Sequence, residues 1–456
     1  MSAAPGGMKR GGVPNGPGSH LVSGPTSSKG ASPAPSEPPP GSVARAKPAL
    51  EGRSVRRPPT ECGGPAAPVT MIAFTPEQEE FRKAVARLVD AEVVPAAEAI
   101  DERAEFPWTL FKRLGELGYL GLRYPAAYGG ADADMVTYCL FAEELARGSL
   151  SVAAAVAMQS LMGTYFVYKY GTEELRRKYL VPALRGDLVA TFALTEPGAG
   201  SDVANITTRA ERRGDRWVLR GGKTWVTNAP VADVLTVAAK TSAERGMKNI
   251  ALFLLDRSAM RGIALGKSID KMAVRGSVTG EIRLDDVEVP PEYLLGGETG
   301  GVEKIGSVLS EIRVMTAAIS LGIARAAYTA ALAYARERVA FGKPIVEHQA
   351  IGFKLADMLT RLHAATLMTY QAAARLDAGR AITREAAMVK LFASEMAVRV
   401  TDEAARIFAS YGLAMEYPIQ RYFRDARFLL PGGGTSEILR VVIDRDLDWD
   451  RGQAFA

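Results

Sequence analysis

The feature that most restricts how this chain can fold is a double change in the period of its apolar residues. From Phe74 to about residue 187 apolar side chains recur at threes and fours, as in Phe81-Arg82-Lys83-Ala84-Val85 and Phe111-Lys112-Arg113-Leu114, which predicts helices. From about 190 to 295 the texture shifts to short runs such as Arg216-Trp217-Val218-Leu219, Val234-Leu235-Thr236-Val237 and Ile250-Ala251-Leu252-Phe253, separated by Gly, Asn and Asp turns, which predicts strands. Beyond Val289-Pro290-Pro291 and Gly296-Gly297 the pattern is helical again, with Ala-rich segments around 306–340, 346–379, 382–412 and 434–446. Helices, strands, then helices predict a mainly α protein: a helical domain at 71–188, a sandwich or barrel-like β domain at 189–298, and a four-helix bundle at 299–456.

The start of the first helix is marked by Thr75, which can cap, Pro76, which suits the first helical position, and Gln78, which can close a capping box. Residues 1–70 are rich in Pro, Gly and Ser and read as a disordered tail, with Met71 as an alternative initiator. A basic, acid-poor tail also fits a mitochondrial transit peptide, but dense proline opposes an amphipathic helix, and no apolar region follows Arg56-Arg57 as a twin-arginine signal requires. A cytoplasmic location is the expectation, with the mitochondrial matrix as the outcome if the tail directs import.

The net charge of +5 does not point to nucleic acid, because eight basic against three acidic residues before Met71 account for all of it. No uninterrupted apolar run approaches the roughly 20 residues of a membrane span. Cys62 and Cys139 are the only cysteines and His20, His348 and His363 the only histidines, which argues against a disulfide framework, a zinc site and a serine triad. Chemistry in such a chain borrows a cofactor.

Leu194-Thr195-Glu196-Pro197-Gly198-Ala199-Gly200-Ser201-Asp202 opens the β region; Lys223-Thr224-Trp225-Val226-Thr227-Asn228, Arg275-Gly276-Ser277 and Asp285-Asp286-Val287-Glu288-Val289-Pro290 follow; and Glu337-Arg338-Val339-Ala340-Phe341-Gly342-Lys343-Pro344 continues to Gln349. In this order the motifs resemble those of the acyl-CoA dehydrogenase family, over nearly everything after Met71. Each residue alone has an ordinary explanation: a core Trp225, a solvated Arg338, a Gly-Ala-Gly turn. Their joint order does not.

The resemblance implies FAD as cofactor, an acyl thioester on CoA or an acyl carrier protein as substrate, an electron-transferring flavoprotein as acceptor, and a homodimer or homotetramer. By resemblance the flavin is bound by Phe192, Thr195, Ser201, Trp225, Thr227 and Thr435, and by Arg338, Phe341 and Gln349 across a subunit boundary; Ser201 and Gly434 also reach the substrate. The chemistry of these residue types is suited to such a ligand, since glycines let backbone approach it, hydroxyls pair with polar edges, an indole offers a broad face, and a guanidinium matches pyrophosphate. Residues 150–165, with the small side chains of Leu150-Ser151-Val152-Ala153-Ala154-Ala155-Val156-Ala157 among them, are implied to help line the acyl pocket, and Glu196 is assigned to loop structure.

One position departs from the pattern. Where the family typically shows Tyr-Glu-Gly-Thr, with the glutamate as the base for the α-proton, this chain reads Gly432-Gly433-Gly434-Thr435. The resemblance implies that the Gly433 backbone N–H, with a flavin ribityl hydroxyl, polarises the thioester carbonyl, and that N–H remains here. The isovaleryl-type branch carries its base on an earlier helix just before an arginine; Arg313 fits that arginine, which puts Ile312 at the base position and Glu311 about 100° away on the helix. Asp132, in Tyr128-Gly129-Gly130-Ala131-Asp132, is a second candidate for a relocated base. At Ala409-Ser410-Tyr411-Gly412 the family usually has Gly-Gly-x-Gly near the adenosine. The function expected is a dehydrogenase forming a 2-enoyl thioester, with flavin oxidase or monooxygenase chemistry, or a non-catalytic FAD-binding subunit, as alternatives.

Overall fold

The computed structural model describes residues 74–445 other than residue 245. The tail at 1–70 and the Met71 start lie outside the described residues. Helix Pro76–Leu88 begins at the expected capping box: Thr75 Oγ1 accepts from the Gln78 N–H at 3.2 Å, and the Gln78 side chain accepts from the Thr75 N–H at 3.1 Å. Helices then run to Leu184, and the helix Met135–Gly148 carries much of the core through buried Tyr138, Leu140, Phe141 and Leu145.

The middle region is one hydrogen-bonded sheet of eight strands: β1 (Ala190–Ala193), β2 (Arg209–Arg213), β3 (Arg216–Thr227), β4 (Val234–Lys240), β5 (Ile250–Asp256), β6 (Ile263–Leu265), β7 (Thr279–Val289) and β8 (Leu294–Leu295). Its order is β6-β7-β3-β2-β4-β5-β8, with β1 parallel to β4. β5 is buried along its full length and β4 in all but its last residue, so both faces of the sheet are covered there and the strands read as continuous apolar runs.

The C-terminal region packs helices Gly301–Glu337, Gln349–Asp377, Thr383–Phe408 and Ser436–Arg445, with the short helix Pro418–Ala426 between the last two. The segment expected as one helix over 382–412 stops at Phe408, where Ala409 takes φ 53°, ψ −127°. Helix Gly301–Glu337 crosses Met135–Gly148 closely at Gly322, where a Cβ would stand 2.1 Å from the Glu143 carbonyl oxygen. Arg325 then reaches Glu143 at 3.1 Å and Glu144 at 2.5 Å, clamping the two helical regions together.

Two helical stretches correct the expectation from the uninterrupted runs. Leu150–Tyr170 and Gly301–Glu337 are long and apolar enough to cross a bilayer, but 89% and 78% of their apolar windows are buried within the protein. They form its core.

Candidate active site

Two loops that carry the motifs are stitched together by a buried ion pair. Glu196, after β1, meets Lys223 Nζ from β3 at 2.8 Å, with side chains 3% and 0% exposed. The Glu196 carboxylate also accepts from the N–H of Thr207 at 2.6 Å and of Thr208 at 2.9 Å, while Lys223 donates to the Leu194 carbonyl at 3.0 Å. Burial raises the Glu196 carboxyl, but Lys223 and these donors outweigh it and hold it at about 2. Burial brings Lys223 down to about 8 in spite of its partner. Each oxygen of the Glu196 carboxylate already takes two donors, Thr207 N–H and Oγ1 on one and Thr208 N–H and Lys223 on the other, which fits Glu196 as loop structure.

The Thr224 N–H donates to the Thr195 carbonyl at 2.9 Å, placing Thr195 beside the next residue, Trp225. Pairing of β3 with β7 shifts register between Lys223 and Val226, and within that bulge Trp225 adopts φ 57° and is 60% exposed. A bulge that turns a tryptophan outward makes a platform, not a core. Thr195 and Thr227 are half-exposed near it, and Ser201, farther along the loop that carries Thr195, is exposed. A Cβ at Gly198 would meet nothing within 4 Å, so the fold itself does not require glycine in this loop. Phe192, by contrast, is buried against Phe166 at 4.7 Å between ring centroids, so its side chain serves the core.

Arg338, Phe341 and Gln349 sit around the hairpin Val339–Ala340/Lys343–Pro344 that follows Gly301–Glu337. All three are exposed, and Phe341, at φ 53°, is 94% exposed. Among the described residues no hydrogen bond joins this hairpin to β1 or β3.

The third part is the glycine loop. Gly433 and Gly434 take φ 73° and 106°, and Lys390, fully buried on Thr383–Phe408, holds them from beneath by donating to the Leu430 carbonyl at 2.9 Å and the Gly434 carbonyl at 2.7 Å. Burial lowers the Lys390 ammonium to about 8. Among the described residues the Gly433 N–H is engaged in no hydrogen bond. A side chain at Gly433 would begin 3.2 Å from Thr316 Oγ1 and 3.7 Å from Ile312 Cγ2, both on Gly301–Glu337. Ile312 therefore does face Gly433.

Neither candidate carboxylate is among the atoms nearest that position. Glu311 is paired with Arg123 at 2.9 Å, and Asp132, at φ 49°, accepts from the Ala126 N–H at 2.9 Å in its own exposed turn. Thr435 Oγ1 accepts from the Ile438 N–H at 3.3 Å, a helix-starting bond.

Three features were not drawn from the sequence. Lys390 lies at core spacing among Ala386, Val389, Ala393 and Ala397, a signal for a buried cation with backbone partners. Asp425, fully buried and raised to about 7 by that burial, accepts from the Val274 N–H at 2.6 Å and so fixes the Arg275-Gly276-Ser277 loop. Arg313 is 5% exposed, and among the described residues it has neither a hydrogen-bond nor an ion-pair partner.

The exposed indole, the hydroxyls near it and the open glycine turn fit the edge and face of a flavin; the exposed guanidinium of Arg338 fits pyrophosphate. When bound, a flavin supplies an acceptor for hydride.

The models of the acyl-CoA dehydrogenase N-terminal, middle and C-terminal domains match residues 75–187, 191–287 and 299–447. Benzylmalonyl-CoA dehydrogenase of Aromatoleum aromaticum is 48% identical over 375 residues, covering 82% of this chain and 98% of that protein. The solved structure of butyryl-CoA dehydrogenase from Megasphaera elsdenii superposes with a TM-score of 0.79 at 35% identity, covering 82% of this chain and 98% of that one. A Mycobacterium smegmatis glutaryl-CoA dehydrogenase in complex with FADH2 gives 0.78 at 30% identity, covering 82% and 95%. With three domain models matched in order and a relative this similar along nearly its whole length, the chain belongs to the acyl-CoA dehydrogenase family and is a FAD-dependent oxidoreductase acting on CH–CH groups.

Proposed function

We propose that this enzyme oxidises a CoA thioester with a bulky apolar acyl group to the 2-enoyl thioester, the β-hydride passing to flavin N5 and the electrons leaving through an electron-transferring flavoprotein. The observation that carries the reading is the glycine loop: among the described residues its Gly433 N–H is unengaged, and buried Lys390 fixes the carbonyls on either side of it. A thioester carbonyl bound there gains a preorganised donor at the oxygen that takes up charge as the α-carbon gives up an electron pair.

The helix Leu150–Ala157 supports an apolar tail. Ala153, Ala154 and Ala157 are small and uncharged, and Asn228 at the end of β3 donates to the Ala155 carbonyl at 3.0 Å, seating this helix against the strand that bears Trp225 and Thr227. The similar Aromatoleum protein is named for benzylmalonyl-CoA, an aromatic thioester with a second carboxyl group on its α-carbon. Of the carboxylates considered as a relocated base, Glu311 is engaged by Arg123 and Asp132 by its own turn, so we assign both to structure.

Phe341, almost wholly exposed at its hairpin tip, and exposed Arg338 and Gln349 fit a site completed by a second copy of the chain. Bacterial relatives and the scarcity of cysteine fit a cytoplasmic enzyme. Anaerobic titration of the FAD-loaded protein with aryl and branched acyl-CoAs, with and without an α-carboxylate, tests the reading. Bleaching of the oxidised flavin by at least one of them is expected; an unchanged spectrum across the panel refutes a dehydrogenase half-reaction.

A further inference from the structure

A guanidinium cannot shed its proton at accessible pH, and one buried without an anion costs several kcal/mol, so native proteins seldom leave it alone. Arg313 is 5% exposed, its Nε is buried without a hydrogen-bond partner, and among the described residues no carboxylate pairs with it. It follows Ile312 and precedes Thr316 by three residues, and those two side chains are the nearest to where a side chain at Gly433 would begin, with Thr316 Oγ1 at 3.2 Å. Its charge also reaches Lys390, the cation that grips the Gly434 carbonyl. The carboxylates around Lys390 do not supply the missing anion: Glu395 accepts from Ser436 Oγ at 2.7 Å, and among the described residues neither Glu395 nor Glu437 forms an ion pair with Arg313. The family's usual carboxylate is absent, Lys390 holds the glycine loop by its carbonyls, and Arg313 stands on the same helix as the Ile312 and Thr316 side chains that face Gly433.

We propose that the anion Arg313 receives is a carboxylate on the α-carbon of the substrate thioester, lodged in the space beside Gly433, and that loss of this carboxylate as CO2 replaces proton removal by a protein base. The inference rests on the dehydrogenase reading above. The bond between the α-carbon and the carboxylate breaks and leaves its electron pair on the α-carbon. That pair becomes the new double bond as the β-carbon gives up hydride to FAD. The thioester is oxidised, the flavin takes two electrons, CO2 leaves, and no proton passes to the protein. Arg313 binds and orients the carboxylate, and the charge it gives up moves to the thioester oxygen opposite the Gly433 N–H. A 2-substituted malonyl thioester needs no Glu at position 433; a Glu there would occupy its place.

The test uses FAD-loaded protein and two thioesters with no β-hydrogen to give up as hydride, malonyl-CoA and acetyl-CoA, whose binding is read from the flavin spectrum. Malonyl-CoA is expected to bind about tenfold or more tightly, the scale of one charge-assisted hydrogen-bonded pair. In Arg313→Gln this preference falls to about one while acetyl-CoA affinity is retained. Gly433→Glu, which fills the same space with a competing carboxylate, abolishes the preference and begins to exchange the α-hydrogens of a simple acyl-CoA with D2O. Equal binding of the two thioesters by the unaltered protein, or a preference that survives both substitutions, overturns the assignment. Flavin bleaching by a 2-substituted malonyl-CoA without CO2 release also overturns it while leaving the dehydrogenase reading intact. Absence of bleaching with every thioester refutes that reading, and the binding comparison still decides the carboxylate site.

Discussion

Two buried lysines show how differently the halves of this site are finished. Lys223, under the loops assigned to the flavin, has its counter-charge built in: Glu196 lies at 2.8 Å, and backbone donors complete the carboxylate. Lys390, under the glycine loop, binds only carbonyl oxygens, and its cationic neighbour Arg313 has no partner among the described residues. A cation delivered with its anion fixes a loop for good. A cation buried without one leaves the folding balance incomplete until a ligand arrives, so the first half is closed scaffold and the second an open receptor.

The largest expected effect breaks the closed half. Lys223→Met leaves Glu196 charged, buried and unpaired, and should destabilise the protein by about 3–5 kcal/mol in chemical denaturation. A loss below about 1 kcal/mol would show that the pair is not closed. The same contrast has a pH form. Glu196 sits at about 2 in the folded chain against an ordinary 4.5, so its contribution is complete above about 4.5 and is lost as pH falls from there toward 2. Stability measured over that window should fall with pH, and less steeply in Lys223→Met, where the depressing charge is gone.

A smaller effect comes from Ala409, whose φ of 53° and ψ of −127° belong to glycine. Ala409→Gly should stabilise the C-terminal region by about 1 kcal/mol, seen as a higher unfolding midpoint, because strain of this kind costs roughly 1–3 kcal/mol and glycine's added chain entropy offsets part of the gain. Arg313→Gln, in the open half, should leave stability within about 1 kcal/mol or raise it, since it removes a buried charge with no partner. A loss on the scale of Lys223→Met would erase the distinction between the halves. The smallest change is expected from Glu311→Gln, whose flavin-reduction rate should stay within about twofold; a drop of about 10²–10⁴ would make Glu311 the base.

Much of this was legible in the sequence. The helix–strand–helix order follows from apolar period, and the start at Thr75 from a local capping pattern that needs no tertiary partner. What escaped was decided by contacts distant in the chain. Trp225 reads as a strand residue, and only the register shift against β7 turns it outward. Phe192 is implied by the resemblance to bind flavin, and its ring packs against Phe166 from an earlier helix, in the core. The missing carboxylate at Gly433 is visible at a glance, whereas the missing partner of Arg313 is a property of everything packed around it.

The most direct test of an open, carboxylate-seeking site is a single-turnover experiment: FAD-loaded enzyme, a 2-arylmethylmalonyl-CoA or its carboxyl-free counterpart, no oxygen, with flavin absorbance and CO2 followed together. The account predicts that the malonyl thioester bleaches the flavin with one CO2 per flavin reduced, and that the carboxyl-free thioester reduces it at least about 10²-fold more slowly for want of a base. Equal or faster reduction by the carboxyl-free thioester would contradict it.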